Sequence, residues 1–116
     1  MPIPDDIREK VLEKFDKLPY KERGIEINEA LIIAAIEILN ESEGKILPQN
    51  ARKEVADRTP YGLDKLIKEK LGKNTMTANI ISDILQEKGI VEVTKIINPK
   101  TGRLINATRL LNDWTF

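Results

Sequence analysis

The sequence predicts a single α+β domain that is mostly helical, with one β-hairpin near its C-terminal end. Apolar residues recur at helical spacing in several segments before residue 89. β-Branched residues dominate two segments after it, and a turn signal separates them. A chain of 116 residues, 41% of them hydrophobic, is long enough for one core and short for two. We therefore expect one domain spanning residues 1–116.

The first two helices are indicated by apolar spacing and by capping residues. Apolar side chains at helical spacing predict an amphipathic helix between Pro4 and Pro19, and a polar connection follows at residues 19–24. Asn28 can cap a second helix that runs to about Glu41. That helix is apolar on most sides, so we expect it to pack against several neighbours, including a second copy of the chain.

The middle of the chain predicts a short strand and three helices with ends marked by Pro, Asn and Gly. Thr59 and Asn74 can cap the last two helices, and Gly72 and Gly89 can end them. In chain order the elements are a strand at 45–48, a brief helix at 50–57, a helix from Pro60 to Leu71 and a helix from Thr75 to Lys88.

The last two segments read as a β-hairpin. Residues 90–97 and 103–111 are rich in β-branched side chains. Between them, Asn98 and Pro99 suit the first positions of a type I turn, and Gly102 suits the left-handed residue that follows.

The order of helix, Gly-containing turn, helix, Gly and hairpin resembles the core pattern of the winged helix-turn-helix superfamily. Residues 66–79 match the end of its scaffold helix at Leu-Gly and a small polar cap on its recognition helix. Residues 85–91 match the Leu-x-x-x-Gly-apolar-apolar ending that leads into the wing. The match covers residues 60–111, and the helix at 28–41 corresponds to the family's first helix. The resemblance implies a winged helix-turn-helix over residues 28–111, preceded by a helical extension at 1–24.

The function that this resemblance implies is double-stranded DNA binding as a small transcription regulator. The family places the start of its recognition helix in the major groove. The residues in those positions here are Thr75, Thr77, Asn79 and Ser82. Basic residues on the scaffold helix and hairpin are placed to contact phosphates on both sides: Lys65, Lys68, Lys73, Lys95, Lys100 and Arg103.

Other features favour a different class of function. The predicted recognition helix has no Arg or Lys before Lys88, and Asp83 would repel a nearby phosphate. With a net charge of zero and an unusually apolar second helix, the chain also fits a winged-helix module for protein interaction or assembly. A further alternative is a replication or plasmid-partition accessory protein, which would bind DNA by the same contacts. The surplus of apolar residues predicts a homodimer with Phe15 and Ile33 in its interface.

Composition limits the remaining functions. The chain has no Cys and no His, which excludes a thiol nucleophile, a Cys/His zinc site and a Ser-His triad. We expect no enzyme activity, no cofactor and no metal. The acidic start and short apolar runs predict a cytoplasmic protein without a membrane span, and abundant Ile and Lys/Glu pairs lean towards a thermophile. Residues 1–44 carry 6 basic and 11 acidic residues and residues 45–116 carry 13 and 8, so the two parts have opposite charge, −5 and +5.

Overall fold

The computed structural model describes residues 2–49, 62–72, 77–98 and 102–116. These residues form an α+β fold of four α-helices and five strands, which confirms the predicted class. In chain order the elements are α1 (Asp5–Glu13), β1 (Tyr20–Glu22), β2 (Ile25–Ile27), α2 (Glu29–Glu41), β3 (Ile46–Pro48), α3 (Leu63–Leu71), α4 (Ala78–Glu87), β4 (Val91–Ile97) and β5 (Leu104–Leu110). None of the helices in these ranges is long and apolar enough to span a bilayer.

Helix α2 lies at the centre of the core. The Asn28 side chain accepts a hydrogen bond from the Leu31 N–H at 2.9 Å, so the predicted cap is confirmed. The helix packs against α3, α4 and β5, and apolar residues around its circumference are buried. Elements of the same chain therefore bury the additional apolar residues of α2 from which packing against a second copy was predicted.

Strands β3, β5 and β4 form one antiparallel sheet in that order. The β4–β5 pairing runs from Val91 opposite Leu110 to Ile97 opposite Leu104, which confirms the predicted hairpin. Strand β3 pairs with the other edge of β5. Gly102 has a φ of 73°, as its predicted left-handed role requires, and donates its N–H to the Asn98 carbonyl at 2.8 Å.

The turn between α3 and α4 is only partly as predicted. Gly72 ends α3 in the left-handed conformation, with φ of 66°. The predicted helix start at Thr75 is wrong, because Thr77 is not helical and α4 begins at Ala78. Asp64 of α3 caps this start instead: its Oδ1 accepts the N–H groups of Thr77 at 2.8 Å and Ala78 at 3.2 Å. The predicted helix at 50–57 and the predicted roles of Thr59, Pro60 and Asn74 lie outside the described residues.

Two predictions for the N-terminal extension are wrong. Helix α1 ends at Glu13, and the chain turns there so that Phe15 enters the core. The expected polar connection at 19–24 is a second antiparallel hairpin, β1–β2. Its two-residue turn consists of Arg23 and Gly24, with φ of 50° and 80°.

The C-terminal residues fold back onto the core. Asn40, buried on α2, donates its Nδ2 to the Phe116 carbonyl and accepts the Phe116 N–H, each at 2.9 Å. The Trp114 indole donates to the Gly89 carbonyl at 3.1 Å, and the Lys14 ammonium lies 5.3 Å from the centre of the indole ring. The last residues therefore cover the end of α2 and the turn after α4.

Candidate nucleic-acid interface

Helix α4 presents a narrow polar arc to the outside. Its apolar residues are buried, whereas Asn79, Asp83, Gln86 and Glu87 are exposed. Successive residues of an α-helix are about 100° apart around the axis. Asn79 therefore lies between Gln86 on one flank and Asp83 on the other, and Glu87 lies beyond Asp83.

The first flank of the arc is joined to the β4–β5 hairpin. The Ser82 hydroxyl contacts the Thr108 hydroxyl at 2.6 Å, and Gln86 Oε1 accepts the Val93 N–H at 2.7 Å. Thr108 stands opposite Val93, so α4 crosses this face of the sheet. Side chains alternate between the two faces of a strand. The exposed side chains nearer the hairpin tip therefore continue this face beyond α4: Lys95, Ile97, Leu104 and Asn106.

The second flank of the arc faces the β1–β2 hairpin. Arg23 Nη2 lies 2.9 Å from Asp83 Oδ2, and both side chains are about half exposed. Tyr20 on β1 packs against the core; burial raises its pKa, and the charges of Glu22 and Glu87 raise it further. The two hairpins thus stand on opposite sides of Asn79.

A chain of buried polar groups fixes α4 relative to the sheet. Gln49, which follows β3, donates its Nε2 to the Thr108 hydroxyl at 3.2 Å and its N–H to the Asn106 carbonyl at 3.0 Å. The Gln49 carbonyl accepts the Asp64 N–H at 3.0 Å. Since Asp64 caps α4 and Ser82 contacts Thr108, the helix is held at its start and in its middle. None of these side-chain contacts was anticipated from the sequence.

The predicted base-contacting residues divide into three groups. Asn79 is exposed on the arc, as base contact requires. Ser82 is 0% exposed and Thr77 is 2% exposed, so their predicted roles are wrong. Ser82 turns inward because Thr108 gives its hydroxyl a partner inside the protein, and Thr77 sits beneath the helix start that Asp64 caps. Thr75 lies outside the described residues.

The predicted phosphate-contacting residues are also divided. Lys95 and Arg103 are exposed on the β4–β5 hairpin, on either side of its tip. The Lys68 ammonium on α3 lies 3.0 Å from Asp64 Oδ2. Lys68 is therefore paired with the carboxylate that caps α4. Lys65, on the same helix, is half-buried. Lys73 and Lys100 lie outside the described residues.

The structure contradicts the predicted dimer residues. Phe15 is buried in the core, and the Lys88 ammonium lies 5.2 Å from the centre of its ring. Ile33 is buried as well, in the wall of an open groove between α1, α2 and α3. Both side chains are more than 90% buried within their own chain, so neither is the exposed apolar residue from which the interface was predicted.

The side chains gathered around α4 therefore comprise two exposed amides, two acids, one arginine from the first hairpin and one lysine from the last. Comparison of the chain with protein-family models, with curated proteins and with solved structures finds no match.

Proposed function

We propose that this chain is a winged helix-turn-helix protein that binds double-stranded DNA, with α4 in the major groove and β4–β5 as its wing. The order α2, β3, α3, α4, β4, β5 supports this arrangement, as does a sheet in which β5 lies between β3 and β4. The left-handed Gly72 at the turn between α3 and α4 supports it as well. A small transcription regulator is the role that we propose for such a domain.

The exposed Asn79 side chain is the observation that carries this proposal. Its neighbours on the arc have partners within the protein: Gln86 bonds the Val93 N–H, and Asp83 pairs with Arg23. Among the described residues, no hydrogen-bond partner of the Asn79 side chain is found. An asparagine amide matches the N6 donor and N7 acceptor that adenine presents in the major groove. Asn79 is therefore the proposed base-reading residue.

Charge around the arc is consistent with contact to a duplex. In the free protein Arg23 pairs with Asp83, which reduces the negative potential that this flank of the arc presents to an approaching duplex. On the other flank, Lys95 extends from the sheet face that continues past α4, and Arg103 lies near the same tip. These two cations are the proposed wing contacts to the DNA backbone.

Duplex binding at several salt concentrations tests the proposal. We expect the protein to bind a labelled random-sequence duplex, measured by fluorescence anisotropy, with an affinity that falls steeply between 50 and 200 mM salt. Replacing Lys95 and Arg103 together by Ala should lower the slope of log affinity against log salt by about 2 in magnitude. The matched control replaces Arg8 and Lys10, an equal charge on α1, and should leave the slope unchanged. Absence of salt-dependent binding by the unaltered protein would contradict the proposal.

A second candidate function, binding to another protein, is favoured by one feature of the wing. Ile97 and Leu104 stand opposite each other near the hairpin tip and are 65% and 63% exposed. An exposed pair of large aliphatic side chains is a typical contact for a protein partner. This candidate predicts that the same titration detects no salt-dependent duplex binding.

A further inference from the structure

The turn of the first hairpin is built with an unusual residue. Turns of two residues with positive φ at both positions favour Asn or Gly at the first, because L side chains crowd the backbone there. Arg23 occupies that position with φ of 50°, between Glu22 and Gly24. A strained backbone at an exposed residue suggests a role for the side chain that the turn itself does not need.

The Arg23 guanidinium reaches the polar arc of α4. It lies 2.9 Å from Asp83 Oδ2, and Asp83 is one helical turn after Asn79 on the same side of the helix. The wing lies on the other flank, where Gln86 and Ser82 join α4 to the sheet. A cation from each hairpin therefore stands beside the position that the major groove would occupy.

We propose that Arg23 is a phosphate-binding residue, so that the β1–β2 hairpin holds the DNA backbone on the side of α4 opposite the wing. This inference rests on the proposed function. In the free protein Asp83 holds the guanidinium beside the arc. On binding, a phosphate takes over the Arg23 side chain, whose planar donors match two phosphate oxygens.

This exchange of partners is favourable for two reasons. The Arg23–Asp83 pair is half exposed, and exposed ion pairs contribute little to stability, so opening it is inexpensive. A phosphate on the duplex also releases condensed counterions when a guanidinium neutralises it, and the carboxylate offers no such gain. Asp83 therefore binds Arg23 in the free protein and competes with a DNA phosphate for it.

The experiment replaces Arg23 without disturbing its turn. Arg23→Asn removes the cation, and Asn tolerates positive φ well, so the melting temperature should stay within a few degrees of the unaltered protein. Arg23→Gly, which suits this backbone at least as well, is the second variant. The matched control is Arg8→Asn, because Arg8 is also an exposed arginine paired with a carboxylate, that of Glu29 on α2.

We expect both Arg23 variants to lower the salt slope on a random-sequence duplex by about 1, and Arg8→Asn to leave it unchanged. As a single substitution, Asp83→Asn should raise the affinity for the duplex several-fold. In the Arg23→Asn background the gain should be smaller, since only direct repulsion by Asp83 is then removed. This inference alone would be overturned if the Arg23 variants had the same salt slope as Arg8→Asn while the double variant of Lys95 and Arg103 still showed its expected reduction of about 2. Absence of any salt-dependent binding would overturn it together with the proposed function.

Discussion

The buried cap that Asp64 provides for α4 leads to a prediction about stability. Its Oδ1 accepts two buried N–H groups, from Thr77 and Ala78, and its Oδ2 contacts the Lys68 ammonium. Asp64→Ala would leave both buried N–H groups without this acceptor. The change should therefore destabilise the protein far more than loss of a surface carboxylate.

The expected magnitude follows from these contacts. A buried donor left unpaired costs about 1–3 kcal/mol, and loss of an N-cap costs about 0.5–2 kcal/mol. The ion pair with half-buried Lys68 adds at most about 1 kcal/mol. Because the two N–H groups belong to one cap, these values overlap, and we expect a total loss of about 2–4 kcal/mol. For a domain of this size, that lowers the melting temperature by about 10 °C. Asp64→Asn keeps one oxygen acceptor and should lose about 1 kcal/mol.

Urea unfolding followed by circular dichroism measures these differences. Asp83→Ala is the matched control, since it removes an exposed, ion-paired Asp and should change stability by about 0.5 kcal/mol or less. A loss for Asp64→Ala no larger than that of Asp83→Ala would refute the assignment of Asp64 as the cap that stabilises α4.

Three further predictions concern other parts of the molecule. Asn79→Ala should cost about 1–3 kcal/mol of affinity on a preferred DNA site with little loss on random duplex or in melting temperature, and equal losses on both would count against base reading. Burial raises the pKa of Glu37, but the Ile3 N–H, the Lys70 hydrogen bond and the Lys70 charge outweigh it and leave that pKa below 4.5. The stability that ionised Glu37 contributes is therefore present above pH 4.5 and lost as pH falls through its lowered folded pKa. Glu37→Gln should lack this loss when the free energy of unfolding is measured from pH 7 to pH 3. Parallel plots of that free energy against pH for the two proteins would contradict the prediction. Asn40→Ala removes both hydrogen bonds to Phe116 and should cost about 1–3 kcal/mol and shift the fluorescence of Trp114, whereas unchanged emission would mean that the C-terminal residues stay docked without Asn40.

Local signals in the sequence were sufficient for the elements that begin or end at distinctive residues. Asn28 marks the start of α2, Gly72 and Gly89 mark the ends of α3 and α4, and β-branched runs mark the last two strands. The β1–β2 hairpin was missed because its strands have three residues each and its turn begins with Arg23, which turn preferences do not favour. Strands this short carry too little alternation to be distinguished from a polar loop.

The candidate site was predicted less well than the fold, because its inward-facing members depend on distant partners. Ser82 reads as an exposed polar residue until Thr108 is placed beside it, 26 positions later in the chain. Asp64 likewise reads as a surface residue of α3 until the start of α4 reaches it. Asn79 could be assigned from the helical pattern alone, since its exposure follows from the position of the apolar residues around it.

The contact between Ser82 and Thr108 also restricts which strand alignments the chain can adopt. If β5 slid by two residues, every side chain would stay on its present side of the sheet, so the alternation of the two faces alone would not oppose the slip. Such a slip would bring Asn106 or Leu110 to the place of Thr108 and separate Gln49 from the hydroxyl that it now bonds. A buried hydroxyl without a partner costs about 1–3 kcal/mol. Directional bonding inside the core thus acts together with hydrophobic burial to select one alignment among those that keep every side chain on its own face.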